Sequence, residues 1–274
     1  MRYVKVSVLM NPKEKPPYFI GSQLRGAFGY ALKKVVCINP SLECQGCFAA
    51  KNCLFYDFYE KKNSYHTYRF DFELGKPYYD FNLYLFEEAA WQLPYVLSAL
   101  HRMLTVTGLG KQRRTFENFD IYVNDESCLS EGRLKVPEEY IRELKFPQTV
   151  SRITLKFITP LRMKKNNRFI RDDSVEVEDL LSSIYLRESA LTGAEKERKV
   201  FMTAAKTVRK VFVYKELTRL GNRGRTTMNM GGMIGEMVLK DVSEEVFKLL
   251  KTGELIGIGK QTVFGLGKIR VEEN

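Results

Sequence analysis

One five-residue turn occurs twice in this chain. Gly108-Leu109-Gly110-Lys111-Gln112 precedes an alternating segment at 119–123, and Gly257-Ile258-Gly259-Lys260-Gln261 precedes the alternating segment that closes the sequence. Glycine at such points lets the backbone take positive φ and lets another strand of backbone approach closely. Two copies in corresponding places imply two units built on one plan.

The segments between the turns fit that plan. Residues 2–10 alternate apolar and charged, as a half-buried strand does. A loop with Pro12, Pro16 and Pro17 follows. Ser22 is the expected N-cap of a helix running to about residue 36, with Leu24, Phe28, Ala31, Leu32 and Val35 as its apolar stripe. Strands are expected at 66–74 and 80–86, with His66, Tyr68, Phe70 and Phe72 on one face and Arg69 and Asp71 on the other. A helix at 89–104, the glycine turn and a strand at 119–123 complete β-α-β-β-α-β. Residues 125–148 read as linker.

The second half repeats the order. It has a strand at 149–158, a basic loop at 162–171, a helix at 175–191 and a strand at 205–214. A loop with three arginines, a glycine-bearing strand at 226–239, a helix at 244–250 turning at Gly253 and the closing loop finish it. The fold class is therefore α+β, with tandem ferredoxin-like (RRM-like) β-α-β-β-α-β domains at 1–146 and 147–274 and a C-terminal glycine-rich loop at 257–267.

The formal net charge of +11 favours an anionic partner such as nucleic acid. The 44% apolar content supports true cores. No apolar run is long enough to span a membrane, and the alternating N-terminus lacks a signal-peptide core, so a cytoplasmic protein with reduced thiols is expected. The cations gather in loops: Lys111, Arg113 and Arg114 in the first half, and Lys164, Lys165, Arg168, Arg219, Arg223, Arg225, Lys260 and Lys268 in the second. Gly257, Gly259, Gln261, Gly265 and Gly267 belong to the same candidate surface, where a turn of consecutive N–H groups can cradle a phosphate. The loop is neither a Walker loop nor a dinucleotide fingerprint, because a strand follows it. A tightly packed hairpin is the plain alternative.

Cys37, Cys44, Cys47 and Cys53 form the pattern C-x6-C-x2-C-x5-C. Four thiolates so spaced suit a closed, structural zinc site. An iron–sulfur cluster uses the same ligands, and reduced or redox-active thiols are the third reading. Cys128 stands apart.

Several stretches resemble the CRISPR pre-crRNA-processing endoribonucleases of the RAMP superfamily, the Cas6 family. They are Gly21-Ser22-Gln23-Leu24-Arg25-Gly26-Ala27-Phe28-Gly29, Cys53-Leu54-Phe55-Tyr56, Phe157-Ile158-Thr159-Pro160-Leu161-Arg162, Met230-Gly231-Gly232-Met233-Ile234-Gly235 and the loop at 257–267. The resemblance implies cleavage of pre-crRNA within the CRISPR repeat by the RNA's own 2′-hydroxyl, without a metal. It leaves a 2′,3′-cyclic phosphate (or 3′-phosphate) and a 5′-hydroxyl. It implies a histidine, a tyrosine and lysines near the first helix as catalytic groups, for which His66, Tyr30, Lys33 and Lys51 are the candidates; His101 sits inside a helix and reads as packed. The implied partners are CRISPR repeat RNA and other CRISPR effector subunits, with no membrane, the chain being a monomer or homodimer. A RAMP subunit that binds guide RNA without cutting it is the alternative.

Overall fold

The computed structural model describes residues 1–10, 15–130, 132–194, 201–220 and 227–273. The chain divides into two compact units, Met1–Glu143 and Leu144–Asn274.

In the first unit, strands β1 (Arg2–Met10), β2 (Tyr68–Asp71), β3 (Phe81–Phe86) and β4 (Phe119–Val123) combine with helices α1 (Gly21–Val36) and α2 (Leu93–Arg102). The sheet order is β2-β3-β1-β4, antiparallel throughout. Period-two alternation puts Val4, Val6 and Val8 of β1 on one face, with Phe70, Leu83, Leu85 and Ile121, all fully buried or nearly so. Leu24, Phe28 and Leu32 of α1 and Val96 and Leu100 of α2 close that core. Each such side chain contributes roughly 1.5–3 kcal/mol by leaving water.

Two local expectations need correction here. Helix α1 starts at Gly21 after Ile20, which is already helical (φ −87°, ψ −16°), so Ser22 lies inside the helix and does not cap it. The second helix is a 3₁₀ turn at Glu87–Gln92, then α2, then a π-helical turn at Met103–Thr107. Pro94 lacks an N–H and is tolerated in the first turn of an α-helix, so α2 begins just ahead of it. Arg69 and Asp71, on the face opposite the core, are also buried, at 2% and 4% exposure.

The second unit has β5 (Arg152–Leu161), α3 (Val177–Thr192), β6 (Lys206–Lys215), β7 (Gly232–Lys240), α4 (Glu244–Ile256) and β8 (Ile269–Glu273). The order β6-β7-β5-β8, again antiparallel, repeats the first unit's. Both units are thus ferredoxin-like. The strand expected at 226–239 is broken. Thr227–Asn229 pairs with Thr218–Leu220 as a separate hairpin, and β7 starts after two intervening residues, at Gly232. Backbone approaches closely where β7 begins: a Cβ on Gly232 would sit 2.4 Å from the Leu161 carbonyl oxygen.

Helix α4 does not turn at Gly253; it runs through to Ile256. That glycine is buried, and a Cβ there would lie 2.6 Å from Ile184 Cδ1 on α3. It allows two helices to touch instead of ending one. Among the described residues no helix is long and apolar enough to cross a membrane.

Candidate active site and nucleic-acid interface

The two glycine turns share a backbone conformation. Gly108 (φ 73°, ψ 163°) and Gly257 (φ 77°, ψ 157°) end their helices in the same way. Gly110 and Gly259 follow at φ 74° and 78°. Leu109 and Ile258, between each pair, are buried. Beyond that point they differ. In the first unit Leu109 and Arg114 exchange backbone hydrogen bonds of 2.7 and 3.0 Å, which pushes Lys111, Gln112 and Arg113 into solvent.

In the second unit the chain folds back inward. Ile258 N–H donates to the Gly267 carbonyl at 2.9 Å, Lys260 N–H to Arg162 at 2.8 Å and Gly267 N–H to Pro160 at 3.1 Å. Gly259 N–H donates to Ser183 Oγ at 3.1 Å, and Lys268 N–H to Thr159 Oγ1 at 2.9 Å. Gly257, Gly265 and Gly267 are buried. These N–H groups already have acceptors; of its polar side chains the loop presents exposed Lys260, and half-buried Lys268 and Gln261.

Arg162 joins this loop to its surroundings. Its carbonyl accepts from Lys260, its guanidinium donates to the Gly231 carbonyl at 3.1 Å, and it lies 3.8 Å from the centroid of the Phe169 ring. Desolvation lowers its pKa from the ordinary arginine value. Lys164 stands 5.0 Å from the same ring. Lys165 is tied to Asp179 at 3.0 Å, whereas Arg168 is exposed. Arg219 lies over Phe264 of the glycine loop at 4.5 Å, and Arg171 faces Tyr214 at 5.6 Å. Cations on aromatic faces are held in place, at about 0.5–1 kcal/mol each near the surface. Arg223 and Arg225 lie outside the described residues.

On α1, positions 25, 29 and 33 form one face, by the helical period. Against it packs the short helical segment that follows the cysteines. The order across this contact is cation, ring, ring, cation. Lys33 lies 4.9 Å from Phe55, Phe55 stacks on Tyr59 at 5.1 Å with the planes 8° apart, and Arg25 lies 4.3 Å from Tyr59. Arg25 also donates to the Tyr68 hydroxyl at 2.7 Å, and the Tyr59 hydroxyl donates to the Arg25 carbonyl at 2.7 Å. Burial pushes both phenol pKa values up, that of Tyr59 far up.

The His66 ring is 6.0 Å from Tyr68, at the margin of this cluster. Lys33 is part of it. Tyr30 is 53% exposed, and Lys51 is exposed in a 3₁₀ turn; the structure does not bring either into the cluster. His101 packs edge-on against Phe119 at 5.9 Å.

Gly29 makes the α1 contact possible, since a Cβ there would lie 2.5 Å from Tyr59 Cε1. Gly29→Ala should therefore lower the stability of the first unit by about 1–3 kcal/mol by overpacking, despite alanine's better helix propensity. Urea unfolding checks this, and Tyr59→Leu in the same chain should recover most of the loss.

The four clustered cysteines are half-buried and free of disulfides. Cys44 and Cys47 share a turn, with Cys47 N–H 3.3 Å from the Cys44 carbonyl oxygen. Cys37 Sγ lies 3.7 Å from the Asn39 carbonyl. Among the described residues no three His, Cys, Asp or Glu side chains gather as a metal site. The expected tetrahedral set is not assembled in this conformation, because local turns place each thiol and no buried side chain in 37–53 draws them together. Cys128 is buried with its thiol 3.2 Å from the Ile121 carbonyl, and desolvation raises its pKa to about 11.

A family model described as an N-terminal domain matches residues 1–139, and that of the CRISPR-associated endoribonuclease Cas6 matches residues 155–269. The second unit carries the match to the Cas6 family. It is 21% identical to an uncharacterised protein of Archaeoglobus fulgidus, over 95% of this chain and 94% of that one. Its fold is similar to that of Cas6 in a product complex, with a TM-score of 0.61 at 17% identity over 99% of each chain. Thermus thermophilus Cas6 matches with a TM-score of 0.53 at 13% identity, over 98% of this chain and 97% of the other.

The stretch at 21–29 is the first part of α1, and it carries both Arg25 and Gly29. The stretch at 157–162 ends β5 and delivers Arg162. Neither arginine stands out as a site residue in sequence. The available signal was interleaving: Arg162, Lys164, Phe169 and Arg171 alternate a ring with cations, as do Arg25, Phe55 and Tyr59 once the chain folds back.

Proposed function

We propose that this chain binds CRISPR repeat RNA and cuts it as an endoribonuclease. The observation that carries this reading is the match of residues 155–269 to the CRISPR-associated endoribonuclease Cas6. The likeness to a Cas6 product complex and the +11 charge support it. The RNA's 2′-hydroxyl attacks the neighbouring phosphate in line, with no metal in the step. The protein holds the geometry, moves a proton off the nucleophile and onto the leaving oxygen, and offsets the charge on the phosphorane. His66 is the proton-transfer group, Tyr30 a hydroxyl donor, and Lys33 and Lys51 the counter-charge. Lys111, Arg113, Lys164, Arg168 and Lys260 take backbone phosphates, for which exposed cations suffice.

The test is cleavage of a synthetic repeat RNA in EDTA, beside the same RNA with a 2′-deoxy sugar at the cut. The natural RNA is cut and the deoxy RNA survives. His66→Ala slows cutting by about 10²–10⁴-fold. Cutting of the deoxy RNA sinks the mechanism. The exposed, unclustered positions of Tyr30 and Lys51 favour a second reading, a RAMP subunit that holds guide RNA within an effector complex. RNA bound tightly and left whole decides for it.

A further inference from the structure

Residues 37–53 contain no buried side chain. Ile38 and Phe48 are 70% and 76% exposed, as though nothing within the segment existed for them to pack on. Small units without a core of their own are commonly stapled by a cross-link or a metal ion. Here both ends are pinned to packed elements. Cys37 N–H donates to Lys33 of α1 at 3.0 Å, and the Cys53 carbonyl accepts from Asp57 N–H at 3.0 Å, at the start of the segment that stacks on α1. Between them the chain is a series of turns, and Cys44 and Cys47 share one of these. The four thiols are reduced and half-buried on a largely exposed segment.

We propose that residues 37–53 are a zinc-binding loop in which the Cys44–Cys47 turn closes onto Cys37 and Cys53 when the ion is present. Thiolates are soft ligands, and four of them prefer zinc to magnesium or calcium. Each thiol releases its proton to solvent as it binds, no electron moves, and the site that results carries two negative charges. Exposed Lys34 and Lys51 flank it and offset them. Four protein ligands leave no open position, so the site is structural. It clasps the end of α1 to the Phe55–Tyr59 stack, which positions Lys33.

The proposal does not depend on RNA cleavage. Metal analysis of the full chain, purified without chelator, should give about one zinc per chain. Stripping it with a chelator should expose four thiols to a disulfide reagent, leaving buried Cys128 slow. Added zinc should protect those four again, and cobalt(II) should give the absorption of a tetrahedral thiolate site. Cys44→Ser should lose the metal, and Cys128→Ala should keep it. Thiols that react equally with and without zinc overturn the proposal, as does a chain that holds only iron. If Cys44→Ser fails to fold, the zinc titration of the wild-type thiols still decides.

Discussion

Gly267→Ala should lose about 4 kcal/mol of stability in the second unit, a fall in Tm of roughly 15 °C for a unit of this size. Gly267 sits at φ 69°, and a Cβ on it would lie 1.8 Å from the Ile258 carbonyl oxygen. Left-handed backbone alone costs a non-glycine residue about 1–2 kcal/mol. The clash adds more, because the obstacle is main chain that is itself tied down: the Gly267 carbonyl accepts from Ile258 N–H, and its own N–H donates to Pro160. Gly193→Ala is the control. That residue is at φ 67° with nothing within 4 Å of the added carbon, so it should cost about 1 kcal/mol. Circular dichroism during heating separates the two. The result also decides what the glycine loop is for. A Gly267→Ala chain that is fully stable but blind to RNA would mean that the loop is a phosphate cradle first and a packing device second.

Much of this architecture was legible because it rests on local periodicity. The β-α-β-β-α-β order follows from alternation in the strands and apolar stripes in α1 and α2, and the repeated glycine turn is literal in the sequence. Misreadings came where a residue answers to a distant neighbour. Gly253 reads as a helix stop, but Ile184 on α3 determines it. The role of Arg25 was not visible, since its partners Tyr59 and Tyr68 meet it only after the chain folds, whereas Arg162 stood in a basic loop with Phe169 seven residues on. The cysteines show the reverse: their spacing announces a ligand set that the folded segment alone does not assemble. Catalytic candidates were the least legible. Lys33 is ordered by Phe55, while Tyr30 stays on the surface, and helical spacing cannot tell those fates apart.

Arg69→Met should destabilise the first unit by about 3–5 kcal/mol, although strand alternation places Arg69 on the face away from the core. Arg69 and Asp71 form an ion pair with almost no solvent access. Asn82 donates to the other oxygen of Asp71 at 3.1 Å and accepts from Ser7 at 2.8 Å, so a polar line crosses β2, β3 and β1. Tyr84 covers the guanidinium at 5.3 Å. Burial, followed by the Asp71 charge, holds the Tyr84 phenol pKa far above its ordinary value. Removing the guanidinium leaves the Asp71 carboxylate buried without its cation, and that penalty exceeds what the pair contributes when whole. Arg69→Met with Asp71→Asn should therefore be more stable than Arg69→Met alone and fall within about 1–2 kcal/mol of wild type, because a neutral amide can still accept from Asn82. If the single variant unfolds in urea like wild type, the pair is solvated in solution and this face of the sheet is open. If the double variant is no better than the single, the loss lies in arginine's packing over Tyr84, not in the orphaned charge.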